Sequence, residues 1–134
     1  MANAKVSWKG GKTFIGSDSS NHAVILSSPN EGIGMKASDL LLVSLATCSS
    51  YDVVGILEKR KIQLRKLEVE VSADQEADPP WTFTDIHLKY ILSGEGLEPK
   101  HAETAISLSE EKYCSVAATL KGRANITWEY VIEE

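Results

Sequence analysis

The sequence predicts an α+β fold, because strand patterns surround two helical segments without the regular β–α alternation of a parallel α/β sheet. Residues 67–74 (LEVEVSAD) alternate strictly between apolar and polar side chains, which is typical of a strand with one buried face. Residues 37–61 instead begin with a long apolar segment that does not alternate. The 134 residues contain no repeat, low-complexity tract or long linker, so we expect a single domain over residues 1–134.

The N-terminal segment holds three strand candidates. Residues 5–10 (KVSWKG) and 12–16 (KTFIG) are joined by Gly10-Gly11, a dipeptide that favours a hairpin turn. Residues 22–28 (HAVILSS) continue the strand pattern. The following PNEG, residues 29–32, predicts a loop before the first helix.

The first helix is predicted to run from about Ala37 to about Lys61. Ser38 can serve as its N-cap, and the negative charge of Asp39 suits the positive end of the helix dipole. The first half of this helix is apolar nearly all round, so it must be covered on most sides. A second subunit could complete the cover that one small chain cannot supply.

Two more strands and a second helix complete the pattern. Residues 86–92 (IHLKYIL) alternate like residues 67–74, and residues 124–132 (ANITWEYVI) form the last strand candidate. Pro99 favours a helix start, and that helix is predicted to reach about Tyr113. The side chains expected on the inward faces are Leu67, Val69, Val71, Ala73, Ile86, Leu88, Tyr90, Leu92, Ala124, Ile126, Trp128, Tyr130 and Ile132.

Composition excludes several classes of function. The net charge of −5 opposes nucleic-acid binding, which needs a basic surface. The longest apolar run is about seven residues, against the ~20 that span a bilayer, so we expect no membrane segment. The first ten residues lack the apolar region of a secretory signal, which favours a cytoplasmic location. Three scattered histidines form no ligand cluster, so no metal site is expected.

The chain has two cysteines, Cys48 and Cys114, too few for a disulfide scaffold and too far apart for a CxxC motif. Cys48 lies about ten residues into its helix, beyond the reach of the dipole. Burial and nearby Asp52 would raise its pKa, so a reactive Cys48 needs a cation or hydrogen-bond donors from elsewhere in the fold. Cys114 lies at the end of the second helix, where the dipole disfavours a thiolate. Both cysteines can also be simple core residues.

Two motifs resemble the OsmC/Ohr family (osmotically inducible protein C and organic hydroperoxide resistance protein). Residues 34–57 (GMKASDLLLVSLATCSSYDVVGIL) are similar to the central-helix signature with its cysteine, and residues 108–116 (LSEEKYCSV) resemble the segment that carries the second cysteine. The order of the strands and helices also fits the family over most of the chain. The YhfA-like branch of the family is the most similar.

The resemblance implies an OsmC-like fold, with antiparallel sheets around a long central helix, in an intertwined homodimer. It implies a thiol peroxidase for organic hydroperoxides that uses no metal or other cofactor. Cys48 would attack the peroxide and become a sulfenic acid, and Cys114 would condense with it to a disulfide. An external dithiol would then reduce the pair.

The resemblance also locates the groups that support the thiolate. Active members use a glutamate just before the central helix and an arginine from the N-terminal hairpin. Here Ser38 occupies the glutamate position with Asp39 next to it, and Lys12 is the nearest cation in the hairpin. Two other functions remain open at this point: an OsmC-fold binding protein for a small hydrophobic ligand, and a thiol redox sensor.

Overall fold

The computed structural model describes residues 2–134, which form two compact units. The first unit ends at Leu42 and the second comprises Val43–Glu134. The single domain predicted from the sequence therefore stays a prediction. The elements are β1 (Ala4–Trp8), β2 (Thr13–Asp18), β3 (Ala23–Ser27), α1 (Ala37–Lys59), β4 (Gln63–Gln75), β5 (Phe83–Glu95), α2 (Pro99–Leu108), α3 (Ser115–Leu120) and β6 (Asn125–Ile132).

The first unit contains an antiparallel sheet in the order β1-β2-β3. Val6 pairs with Gly16, and Ile15 pairs with Ile25. Gly10 and Gly11 both have positive φ angles, 97° and 54°, in the turn between β1 and β2. This conformation suits glycine, so the predicted hairpin is confirmed.

The second unit contains the sheet β4-β5-β6, in which β4 and β5 are antiparallel and β6 is parallel to β5. The α+β class is confirmed, but the prediction that the sheets are antiparallel is wrong for β6. The reason is the connection: the chain crosses from β5 to β6 through two helices instead of a hairpin, and such a crossover returns a strand in the parallel direction.

The predicted inward faces of these strands are confirmed. On β5 the alternate side chains from Ile86 to Leu92 are at most 1% exposed. Helix α1 contributes a buried stripe at four-residue spacing, the spacing that brings side chains to one helix face. The members of this stripe are Leu45, Ser49, Val53 and Leu57.

The ends of α1 differ from the prediction by a few residues. The helix begins at Ala37, and the carbonyl of Lys36 accepts the backbone N–H groups of Asp39 and Leu40. Ser38 therefore lies inside the first turn and is not the N-cap. Asp39 does lie in the first turn, and the helix ends at Lys59.

Outside its buried stripe, α1 exposes large apolar side chains. Tyr51 is 81% exposed, Val43 is 44% exposed and Val54 is 41% exposed. By length and composition alone α1 could cross a membrane, since it has 23 residues and a mean hydropathy of 1.8 in its most apolar window. The expectation of no membrane segment stays a prediction, because length and composition alone do not distinguish a membrane span from a core helix. The core helix of a soluble protein satisfies the same criterion.

The predicted second helix is two elements. Regular α-helix α2 ends at Leu108, and one π-helical turn, Ser109–Tyr113, follows it. The chain then turns at Cys114 into α3, a helix that the sequence did not predict. A π turn places one more residue in the turn than an α-helix does, and such turns often occur at functional sites.

Candidate functional site

The structure brings Cys48 and Cys114 together. Cys48 is half-buried on α1, and Cys114 is 3% exposed between the π turn and α3. Both are free thiols, and each lies near enough to influence the pKa of the other. The arrangement therefore has two sulfur atoms close enough to interact.

Backbone hydrogen bonds fix Cys114 from both sides. Its N–H donates to the carbonyl of Ser109 at 2.8 Å, which closes the π turn. Its Sγ accepts the N–H of Ala117 at 3.3 Å, so the cysteine caps the start of α3. Together these two hydrogen bonds hold the Cys114 sulfur in one direction.

The start of α3 also surrounds Cys48 with donors. Burial raises the pKa of Cys48, but the backbone N–H of Val116, the Cys114 thiol, and the hydroxyl and N–H of Ser115 act in the other direction. The net pKa of Cys48 lies below its ordinary value of 9.0. The Cys48 Sγ is 4.0 Å from the Ser115 Oγ. Hydrogen bonds to the charged form of a thiol favour that form.

These donors answer a question that the sequence left open. A reactive Cys48 was expected to need donors or a cation from elsewhere in the fold, and no sequence signal named them. The donors come from α3, which has no start signal that would predict it. The Asp52 carboxylate accepts the hydroxyl of Ser109 at 2.8 Å, and its expected effect on Cys48 stays a prediction.

Cys114 has the opposite electrostatic character. Burial raises the pKa of Cys114 to about 12, with further contributions from Cys48 and the carboxylate of Glu110. The Ala117 N–H opposes the shift. The sequence predicted a disfavoured thiolate for a different reason, the end of a helix dipole. In the structure Cys114 precedes a helix, and burial is the main cause.

A buried polar cluster lies against the same turn, and sequence analysis did not identify it. The Ser49 Oγ is 2.5 Å from the Tyr90 hydroxyl, which donates to Glu110 Oε1 at 3.5 Å. Ser109 lies 3.2 Å from the Ser49 hydroxyl. Burial is the main reason that the pKa of Tyr90 is raised, and burial also raises the pKa of Glu110. Alternation on β5 predicted an inward Tyr90, but its partners depend on the tertiary fold.

The other predicted site residues lie in the first compact unit. Lys12 follows the hairpin glycines, and Ser38 and Asp39 lie in the first turn of α1. Their support of the Cys48 thiolate stays a prediction. Within residues 2–134, no group of three or more His, Cys, Asp or Glu side chains could hold a metal ion.

An open groove of about 930 Å³ lies along the exposed side of α1 in the second unit. Tyr51, Val54, Leu108 and Tyr113 give it apolar walls, and Arg60 is among its polar lining residues. Tyr113 immediately precedes Cys114, so the groove reaches the turn that carries the buried thiol.

Comparisons with known proteins agree with this fold. Residues 29–129 match the family model described as OsmC-like protein. The chain is 33% identical over 129 residues to protein YhfA of Escherichia coli K12, covering 96% of each chain. A crystal structure of a protein from Aquifex aeolicus VF5 has a TM-score of 0.84 and 28% identity, over 100% of this chain and 98% of that one.

A third relative has a name that refers to function. It is an organic hydroperoxide resistance protein OsmC from Legionella pneumophila, described as a predicted redox protein and regulator of sulfide bond formation. Its TM-score is 0.68 at 18% identity, over 97% of this chain and 96% of that one, so the likeness concerns the fold alone. With the family match over residues 29–129 and the full-length relative in E. coli, the chain belongs to the OsmC-like family, whose members are soluble proteins.

Proposed function

We propose that this protein is a thiol-dependent peroxidase that reduces organic hydroperoxides through Cys48 and Cys114. The single observation that carries the proposal is the proximity of two thiols of opposite character: the Cys48 Sγ is 4.0 Å from the Oγ of Ser115, the residue that follows Cys114. The pKa of Cys48 is lowered, and burial raises the pKa of Cys114 to about 12. A peroxidatic cysteine attacks as its thiolate, whereas a resolving cysteine has to attack only after the first cysteine has been oxidised.

The chemistry has three balanced steps. The Cys48 thiolate attacks the outer oxygen of the hydroperoxide, the O–O bond breaks, and the alkoxide leaves and takes a proton to become an alcohol. Cys48 is now a sulfenic acid. The Cys114 sulfur attacks the Cys48 sulfur, the S–O bond breaks, and the Cys114 proton leaves with the hydroxide as water. An external dithiol reduces the disulfide by two exchange steps and becomes a disulfide itself.

The start of α3 supports the first step. An N–H group from Val116 and the hydroxyl of Ser115 favour the Cys48 thiolate without an arginine. These donors are neutral, so each contributes less than the guanidinium that active relatives use. We therefore expect a slower first step here than in relatives that carry that arginine.

The active form that we propose is a cytoplasmic homodimer. Its basis is the exposed apolar face of α1, where Tyr51 and Val43 remain uncovered in a single chain. Contiguous exposed apolar surface of this kind marks an interaction surface, and a second copy of the chain supplies a matching face.

Consumption of cumene hydroperoxide and of hydrogen peroxide, each with a dithiol as reductant, tests the function. We expect turnover with both cysteines present, and a higher rate with the organic peroxide. Cys48→Ser removes all turnover, whereas Cys114→Ser cannot form the internal disulfide and turns over only as fast as the dithiol reduces the Cys48 sulfenic acid directly. Turnover in Cys48→Ser equal to the parent would refute the mechanism.

The groove along α1 favours one alternative, a binding protein for a small hydrophobic ligand. Titration with a fluorescent fatty acid separates the two functions, because a binding protein keeps its affinity in Cys48→Ser. A redox sensor would form the disulfide once and show no sustained peroxide consumption.

A further inference from the structure

Each of the two neighbouring thiols is harder to ionise once the other carries a negative charge. The surroundings therefore decide which of Cys48 and Cys114 ionises first. The donors at the start of α3 favour the charge on Cys48. A group that opposes a negative charge on Cys114 would separate the two cysteines further, because Cys48 would then ionise while Cys114 stays a thiol.

Glu110 is buried and lies near Cys114 in the chain, so it can oppose a negative charge on Cys114. It lies on the π turn four residues before Cys114, and it is only 6% exposed. The Tyr90 hydroxyl donates to its Oε1 at 3.5 Å, which holds the side chain inside. A charge in this position is not screened by water as a surface charge is.

The groups that face this site include one cation. The ammonium of Lys121 donates to the backbone carbonyl of Glu110, and its positive charge opposes the rise in the pKa of the carboxyl. The other titratable groups around Cys114 are Cys48 and the Tyr90 phenol. Among these neighbours, Glu110 is the carboxylate, and its charge does not depend on the oxidation state of Cys48.

We propose that Glu110 is a positioning residue for the peroxidase cycle: its buried carboxylate keeps Cys114 in the thiol form, so that only Cys48 attacks the peroxide. The importance for catalysis rests on the proposed function, but the effect on Cys114 does not. Once Cys48 is a sulfenic acid, its negative charge is gone. Cys114 then loses its proton to the departing hydroxide as the S–S bond forms, and Glu110 is unchanged by the cycle.

The chain offers a matched control at the next position. Glu111 carries the same charge on the same turn, but it is exposed to solvent. Only the buried charge of Glu110, and not the exposed charge of Glu111, should therefore act on Cys114. Glu110→Gln keeps the size of the side chain and an oxygen that accepts from Tyr90, so it removes little except the charge.

The experiment measures alkylation of Cys114 by iodoacetamide as a function of pH in a Cys48→Ser background. The pH at which the alkylation rate is half-maximal reports the ionisation of the Cys114 thiol. A change in the access of iodoacetamide to the thiol instead alters the maximal rate at high pH. We expect Glu110→Gln to lower that pH and to raise the rate at neutral pH about three- to tenfold. Glu111→Gln should change the rate less than about twofold.

Two further variants keep the test decisive if Glu110→Gln folds poorly. Glu110→Asp retains the charge and should react like the parent, and Lys121→Gln removes the opposing cation and should slow alkylation. An equal pH profile for Glu110→Gln and Glu111→Gln would overturn the proposal. Cys48→Ser lacks the proposed peroxidatic thiol, so this readout is independent of the peroxidase assay: a protein that fails that assay can still show the Glu110 effect.

Discussion

Replacing Tyr90 with phenylalanine removes one oxygen atom from a fully buried site and keeps the aromatic ring. Tyr90 is 0% exposed, and its hydroxyl contacts the Ser49 Oγ at 2.5 Å and Glu110 Oε1 at 3.5 Å. We expect Tyr90→Phe to destabilise the protein, because both partners are buried and lose a hydrogen bond that water cannot replace.

The magnitude follows from the partners that remain. Ser49 keeps its contact with Ser109 at 3.2 Å, so its loss is about 1 kcal/mol. Glu110 loses its donor while it is 6% exposed, and a hydrogen bond to a charged group contributes about 1.5–3 kcal/mol. The bond is long at 3.5 Å, so the lower end applies. The expected total is about 2 to 3 kcal/mol.

Equilibrium urea unfolding at neutral pH, under reducing conditions and at one protein concentration, measures this loss. Tyr130→Phe is the matched control, since the Tyr130 hydroxyl donates at 2.6 Å to an exposed carboxylate, that of Glu103. The control should cost less than about 1 kcal/mol. A cost below about 0.5 kcal/mol for Tyr90→Phe would show that the buried cluster does not stabilise this turn.

Three other changes have expected outcomes. Ser115→Ala should raise the pKa of Cys48 and slow its alkylation at neutral pH by less than about tenfold, since backbone donors remain. Ser115→Thr should restore the rate, and an unchanged rate in Ser115→Ala contradicts a role for the hydroxyl. Burial raises the pKa of folded Glu110 above its ordinary 4.5, so the parent should lose stability relative to Glu110→Gln as the pH rises from 4.5 to the raised pKa. Urea unfolding of both proteins at several pH values measures this difference in stability, and a difference that does not change with pH opposes the assignment. Tyr51→Lys should weaken the proposed homodimer in sedimentation, and an unaltered mass at every concentration argues for another interface.

The strands were predictable because alternation is a local signal. Residues 67–74 and 86–92 show in their own sequence which side chains face inward, and the structure confirms these faces. Alternation does not encode direction, however. The parallel pairing of β6 with β5 depends on the crossover through α2 and α3, which no local pattern on β6 reveals.

The chemistry of the site was less predictable. No spacing rule links Cys48 to Cys114, so their proximity was expected from the family resemblance alone. The helix α3 has a cysteine as its cap, an uncommon start signal, so the donors to Cys48 were missed. Glu110 and Glu111 are identical side chains at adjacent positions, and only tertiary packing buries one and exposes the other.

If Cys48 and Cys114 form one redox pair, a peroxide should join them in a disulfide. The intact mass of the reduced protein after one equivalent of cumene hydroperoxide, read without reductant, measures this directly. We expect a loss of two hydrogen atoms in the parent, no change in Cys48→Ser, and the gain of one oxygen in Cys114→Ser. An unchanged parent mass after long exposure would mean that the two cysteines are not a redox pair.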